Sequence, residues 1–432
     1  MKFTGKYRYI IPLLAIIIVG AIVLYFVLGG SKLVRLPLDS LPGQAADGLD
    51  YDTDILAPGV LQQVEDHLLV DVEIKSTNLE GKEKIIKAKN LAAAWRKLPS
   101  LDLGDDKDEV MIADQVLAGD QLYLGQTLAE KGKKRQFNAW QKTFSEAFYD
   151  SYSDLYASSL ELGQDGLYVR HNPNWMTTLG YTRVLLQAYM LNPSHSLLNK
   201  LEELSETLLP LFQSGPPISI TGLGPDLNHP LFSKAEEDEI EKQEEVNLIS
   251  VESIDLWTLA QLAGIDEEWG RIAQQWIENI SESISEEGMP FPPEGWNVEQ
   301  DTAMPLIASD YQAETWRIIK TSLNLAEVGI NNPSLEGFLL EELKSGGLAS
   351  SYHLVNGSSE DRSVNPALAA RAARLARAVD NEALFAAAAR QMSRSYISDQ
   401  TSSFFGAFAR TDNEGRLLIN ALDQMLVLLA LQ

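Results

Sequence analysis

Apolar residues recur at three- and four-residue spacing over most of the chain, as they do in helices that bury one face. The clearest stretches are Glu109–Lys131, Arg135–Tyr149, Trp175–Leu191, Ser196–Phe212, Ser253–Leu262, Glu267–Ile284, Asp310–Val328, Leu335–Lys344, Pro366–Val379, Glu382–Ile397 and Glu414–Leu431. No long alternating run competes with them, so the pattern predicts an all-α protein. The helices come in pairs: an apolar end, a short polar turn, then a helix opening on a large apolar residue, as from Leu262-Ala263 to Trp269 or Leu375-Ala376 to Leu384. Such joints recur about every 50 to 70 residues, and hairpins of this kind bury their apolar faces only by stacking. The irregular spacing and long inserted loops favour a closed ring over an open solenoid. The expected fold is an (α/α)6 toroid of helical hairpins.

The N-terminus follows another pattern. Tyr9 to Leu28 (YIIPLLAIIIVGAIVLYFVL) is twenty residues without a charge, enough to cross a bilayer core as one transmembrane helix. Lys2, Lys6 and Arg8 precede it, which places residues 1–8 in the cytoplasm and the C-terminal domain outside the cell. The apolar run exceeds that of a cleaved signal peptide, so the expected location is the cell membrane, single-pass. Residues 29–58, rich in Gly, Pro, Asp and Ser, read as a stalk, and 59–432 as the barrel domain.

Charge narrows the partners. With 35 Lys and Arg against 61 Asp and Glu the chain carries −26, which argues against nucleic acid and for a neutral or cationic substrate. There is no cysteine, which removes disulfides and thiol chemistry and leans towards a bacterial surface. The five histidines are scattered without an HExxH, so no metal site is expected. No GxSxG, P-loop or dinucleotide fingerprint occurs, and no cofactor is expected. Carboxylates and aromatics remain, the working parts of glycoside hydrolysis.

Three windows resemble family 8 glycoside hydrolases, whose general acid is the Glu of a Ser-Glu-Gly-x-Gly-Tyr-Gly segment opening an inner helix. Here Ala118-Gly119-Asp120-Gln121-Leu122-Tyr123-Leu124-Gly125 opens such a stretch, with Ala129, Phe137 and Trp140 following. The family's base segment, Tyr-Asp-Ala-x-Arg-x-Pro-Trp-Arg, has its counterpart in Ser309-Asp310-Tyr311-Gln312-Ala313-Glu314-Thr315-Trp316-Arg317, with Ala313 where Arg is expected. Ser253-Ile254-Asp255-Leu256-Trp257, through Asp266 to Trp269, resembles the helix–turn–Trp element between them.

The resemblance implies an (α/α)6 barrel and an inverting hydrolase acting on a β-linked exopolysaccharide. It makes Asp120 the acid and Asp310 the base, about 6.5–9.5 Å apart. Tyr123, Trp175, Trp296, Tyr311, Trp316 and Arg317 would hold the sugar, and envelope or exopolysaccharide-synthesis proteins would be partners. Three departures stand out: the acid is Asp, most of the glycines are lost, and the arginines are incompletely kept. They leave open a degenerate ring that binds polysaccharide or an export partner without turnover, or a plain helical scaffold. Asp114 and Glu109 are alternative acids one turn away, capping alone would account for Asp310, and core packing is the default for each Trp.

Overall fold

The computed structural model describes residues 33–44, 57–77, 82–97, 111–215, 220–223, 245–284, 289–299, 301–304, 312–359, 362, 364–402, 404–411 and 416–432. The apolar stretch 9–28 lies outside them, and among the described residues no helix is long and apolar enough to cross a membrane.

Twelve α-helices are present among the described residues: α1 (Ala57–His67), α2 (Ala118–Glu130), α3 (Lys134–Phe148), α4 (Trp175–Leu191), α5 (His195–Gln213), α6 (Leu256–Leu262), α7 (Glu268–Glu282), α8 (Thr315–Ala326), α9 (Pro333–Ser345), α10 (Pro366–Ala378), α11 (Glu382–Ser393) and α12 (Ala421–Ala430). The even-numbered helices form an inner ring: α2 touches α4, α4 touches α6, and so on until α12 touches α2 and closes it. Of the odd-numbered helices, α3, α5, α7 and α11 pack outside α2, α4, α6 and α10, and α1 backs α12.

The two layers differ in composition for a physical reason. Outer α7 buries only one face, through Trp269, Ile272, Ala273, Trp276 and Ile280. Inner helices have neighbours all round: every residue of α10 from Pro366 to Ala378 is buried, including three arginines. An alanine-rich helix lets its neighbours approach closely, and Gly125 does the same on α2. A Cβ there would lie 2.3 Å from the Trp140 ring, so Gly125→Ala is expected to lower stability by about 1–3 kcal/mol, read from the urea unfolding midpoint.

The expectation of an all-α chain is corrected by short strands, many of which run directly into inner helices. Gln115–Leu117 leads into α2, Tyr168–Asn174 into α4, Gln312–Glu314 into α8 and Leu417–Asn420 into α12. Inner helices therefore start later than the sequence pattern suggested, at Ala118, Thr315 and Ala421. Side chains of Asn174, Asp255, Asn365 and Asn420 accept the first free backbone N–H groups of α4, α6, α10 and α12 and fix those starts. Leu69–Thr77 pairs with Glu83–Ala92 at the edge of a six-stranded sheet. Its period of two is visible in Val72 and Ile74, buried between exposed Asp71 and Glu73.

Part of the expected stalk lies on the ring. Along residues 33–44, Val34 O accepts from Tyr189 Oη at 2.9 Å, Leu38 exchanges two hydrogen bonds with Gln261, and Ser40 O accepts from Trp257 Nε1 at 3.1 Å. This strap ends against the central arginines: Pro42 O accepts from Arg374 at 3.3 Å. Gly43 has φ +75°, and a Cβ there would meet Arg374 at 2.6 Å, so glycine is needed on both counts.

Candidate functional site

Five of the inner helices and the segment before α6 line a cavity of about 170 Å³. Its wall is built from Gly119, Leu122, Tyr123 and Gln126 of α2, Met176, Leu179, Gly180 and Arg183 of α4, and Glu252, Ser253 and Asp255 before α6. Lys320 and Leu323 of α8, Arg371 and Arg374 of α10 and Leu426 of α12 complete it. The positions on α2 and α4 fall three and four residues apart, one face of each helix.

Its floor is held by a buried ionic hub. Arg183 donates to Asp255 Oδ1 at 2.7 Å and to Glu327 Oε1 at 2.6 Å, all three side chains being almost wholly buried. Burial alone would pull the Arg183 guanidinium down, but the two carboxylates outweigh it and hold it above its usual range. For Asp255 burial pushes upward and Arg183 wins, so its carboxyl lies below the usual range. Beside the hub, Lys320 Nζ donates to Asn324 Oδ1 at 2.7 Å, and burial together with Arg183 lowers its pKa. Arg371 donates to Tyr123 Oη at 3.1 Å. Burial would raise the Tyr123 pKa, but Arg371 and its cationic neighbours bring it below the usual value.

Next to the lining residues Glu252 and Arg371, a second cluster combines carboxylates with one tryptophan. Glu314 Oε2 accepts from Trp316 Nε1 at 2.6 Å and from Arg317 Nε at 2.7 Å. Arg317 also stands 3.5 Å from Glu252, and the guanidiniums of Arg371 and Arg317 lie 5.1 and 5.5 Å from the centre of the Trp316 ring. Behind them Glu294 Oε1 accepts the Glu314 backbone N–H at 2.9 Å, and burial raises its carboxyl to about 8. Glu252 is also raised, by burial against the pull of Arg317, whereas in Glu314 the two donors outweigh burial and lower it.

The residues expected from the sequence separate into groups. Tyr123 lines the cavity; Trp316 and Arg317 do not, but adjoin its lining residues Arg371 and Glu252. Trp175 and Trp296 are core residues, 3 % and 7 % exposed; they meet Phe212 and Trp276 edge-on and do not line the cavity. Asp310 and Tyr311 lie outside the described residues, as does the alternative acid Glu109. Asp114 is exposed on the turn before Gln115–Leu117 and does not line the cavity.

Asp120 is 2 % exposed and does not line the cavity; it feels the charge of Asp423 of α12, and its Oδ2 has no hydrogen-bond partner. Burial, then Asp423, raises its carboxyl to about 8. Asp423 is itself buried and held by the fork of Arg410, whose Nε is 2.6 Å from Oδ2. The residue of this turn that opens on the cavity is Gly119, exposed, with no atom within 4 Å of an added Cβ. In the Ser-Glu-Gly-x-Gly-Tyr-Gly pattern the Tyr stands four residues after the Glu. With Tyr123 in the Tyr place, the Glu place falls on Gly119.

Sequence reasoning missed Glu252, Glu294, Arg183, Lys320, Arg371 and Arg374. One signal was present for the arginines: Arg371, Arg374 and Arg377 repeat every three residues in an alanine-rich helix. A cationic stripe on a helix with no other polar face belongs against buried acceptors or a ligand.

No protein-family model and no curated protein matches the chain in sequence. Solved structures match in fold. An alpha-amylase from Clostridium perfringens superposes with a TM-score of 0.57 at 19% identity, over 76% of this chain and 88% of that one. A cold-adapted family 8 xylanase gives 0.54 at 11% identity over 91% and 96%. A family 8 xylobiose complex from Teredinibacter turnerae gives 0.52 at 14% identity over 90% and 96%. The chain has the (α/α)6 fold of the family 8 glycoside hydrolases.

Proposed function

We propose that this protein is a membrane-tethered, extracytoplasmic polysaccharide-binding ring on the glycoside hydrolase scaffold, in which the place of the general acid is vacant. The observation that carries it is the first two turns of α2, which offer Gly119, Leu122 and Tyr123 to the cavity and no carboxylate. A sugar polymer as ligand is supported by the structural neighbours named as xylanases and an amylase. Tethering rests on the uncharged run from Tyr9 to Leu28, and partners of the envelope or of exopolysaccharide export follow from that location.

The test uses the full chain in detergent against xylan, β-glucan, starch and chitosan. At least one polymer should retard the protein in affinity electrophoresis without release of reducing ends. Trp316→Ala should weaken that retention about tenfold, because it removes both an aromatic surface beside the cavity wall and the support of Arg371. Reducing-end release that survives purification would sink the reading.

A second reading, hydrolysis with Asp120 as acid and Asp310 as base, is favoured by the raised carboxyl of Asp120, protonated at neutral pH as a general acid must be. Under it, Asp120→Asn abolishes reducing-end release.

A further inference from the structure

We propose that the floor of the central cavity is a site for an anionic group borne on a sugar, a uronate carboxylate, so that the ring prefers acidic over neutral glycans. The inference rests on the carbohydrate reading above and names the class of sugar.

Three cationic side chains line this one cavity, Lys320, Arg371 and Arg374. Each makes its hydrogen bond to a neutral oxygen: Asn324 Oδ1, Tyr123 Oη and Pro42 O. Among the described residues none of the three forms an ion pair. Arg183, in the same wall, shows what compensation looks like in this interior, with two carboxylates on one guanidinium. A buried charge without a carboxylate in direct contact costs folding free energy, so three together mark a place prepared for something negative.

The contrast with the rest of the molecule sharpens the point. The chain as a whole carries −26, and its general field repels anions. A cluster of cations inside such a field is therefore local and enclosed, and it selects an acid group at short range. The acids nearest these cations attract them only from beyond ion-pair distance. Asp255 and Glu327 act on Lys320, and Glu327 and Glu130 on Arg374, but Asp255 and Glu327 are engaged directly by Arg183, burial raises the Glu130 carboxyl, and Glu252, the other acid of the wall, faces Arg317.

Shape agrees with a sugar acid. The cavity, about 170 Å³, equals the liquid volume of roughly five or six waters, room for a carboxylate and part of the ring bearing it. Tyr123 and Trp316 flank Arg371, so aromatic surface for the remainder of the sugar adjoins the cationic cluster. A uronate preference would run against the expectation of a neutral or cationic substrate drawn from net charge.

Calorimetric titration of the full chain in detergent tests this with three probes: a β-1,4-linked glucuronate tetramer, cellotetraose and inorganic sulfate. The uronate should bind at least tenfold tighter than cellotetraose, with an advantage that shrinks as salt rises. Arg371→Gln should abolish the preference. Lys320→Met should also abolish it while leaving the ligand-free melting temperature unchanged or higher, since it removes a buried charge; this separates loss of the site from loss of the fold. Equal binding of uronate and cellotetraose overturns the anion site and leaves the glycan reading standing. Sulfate binding as tightly as uronate, with cellotetraose silent, supports the anion site and overturns the glycan reading. Silence from all three overturns both.

Discussion

Arg183→Met is expected to cost about 3–5 kcal/mol of folding stability, the largest loss from any single substitution in the cavity wall. The side chain of Arg183 is 5% exposed, and those of Asp255 and Glu327 are 10% and 0% exposed, so solvent replaces little of what the guanidinium provides. Its removal leaves two carboxylates facing each other in the interior, where each is costly without a partner. Both would be driven towards protonation, which adds a second signature: the deficit of the variant relative to the parent should shrink as pH falls. Urea unfolding at pH 5 and pH 7.5, followed by circular dichroism, measures both effects. A loss below about 1 kcal/mol would mean that water or neighbouring donors such as Lys320 take over the two acids.

Asp120→Asn should act in the opposite direction. The folded carboxyl titrates at about 8, whereas an Asp in the unfolded chain titrates at about 3.9. The folded state therefore holds the proton more tightly, and between those two values it binds more proton than the unfolded state does. Stability then falls as pH rises from about 4 to about 8 and levels beyond. The penalty at pH 8 is on the order of several kcal/mol, because the group is buried beside Asp423 with one oxygen unpartnered. Asparagine cannot ionise, so the variant should melt higher than the parent at pH 8 and converge with it near pH 4. Parallel melting curves across that range would show that Asp120 does not carry the proton. The same variant serves the hydrolytic reading, since a structural acid raises stability when neutralised and a catalytic one loses turnover.

These two predictions concern residues of very different visibility. Asp120 stood out in the sequence because a family segment surrounds it, and its neighbourhood was read correctly as the opening of an inner helix. Its direction was not legible. Adjacent residues on a helix differ by about a hundred degrees, so a slip of one exchanges a cavity-facing place for one facing the next helix. Gly119 and Asp120 illustrate this. Arg183 stood out in no way, since its partners are 72 and 144 positions distant and nothing local announces them.

Helix existence was legible wherever one face is polar. α7 and α11 lie close to their expected ranges because their periodicity reports a boundary between core and water. Inner-helix starts were displaced by strands such as Gln312–Glu314, whose pairing with Ser351–His353 depends on a segment almost forty residues away. The hairpin from Leu69 to Ala92 did alternate locally and was hidden only by the weight of helical signal around it.

The sequence by itself determined a ring of paired helices, because a repeat of apolar faces has few ways to bury itself, and it determined the absence of cysteine chemistry and the acidic exterior. Only the tertiary structure decided what the ring encloses. Net charge is a sum over the whole chain, whereas a cavity feels the few side chains that converge on it from the inner ring, and here the charged ones are mainly cations.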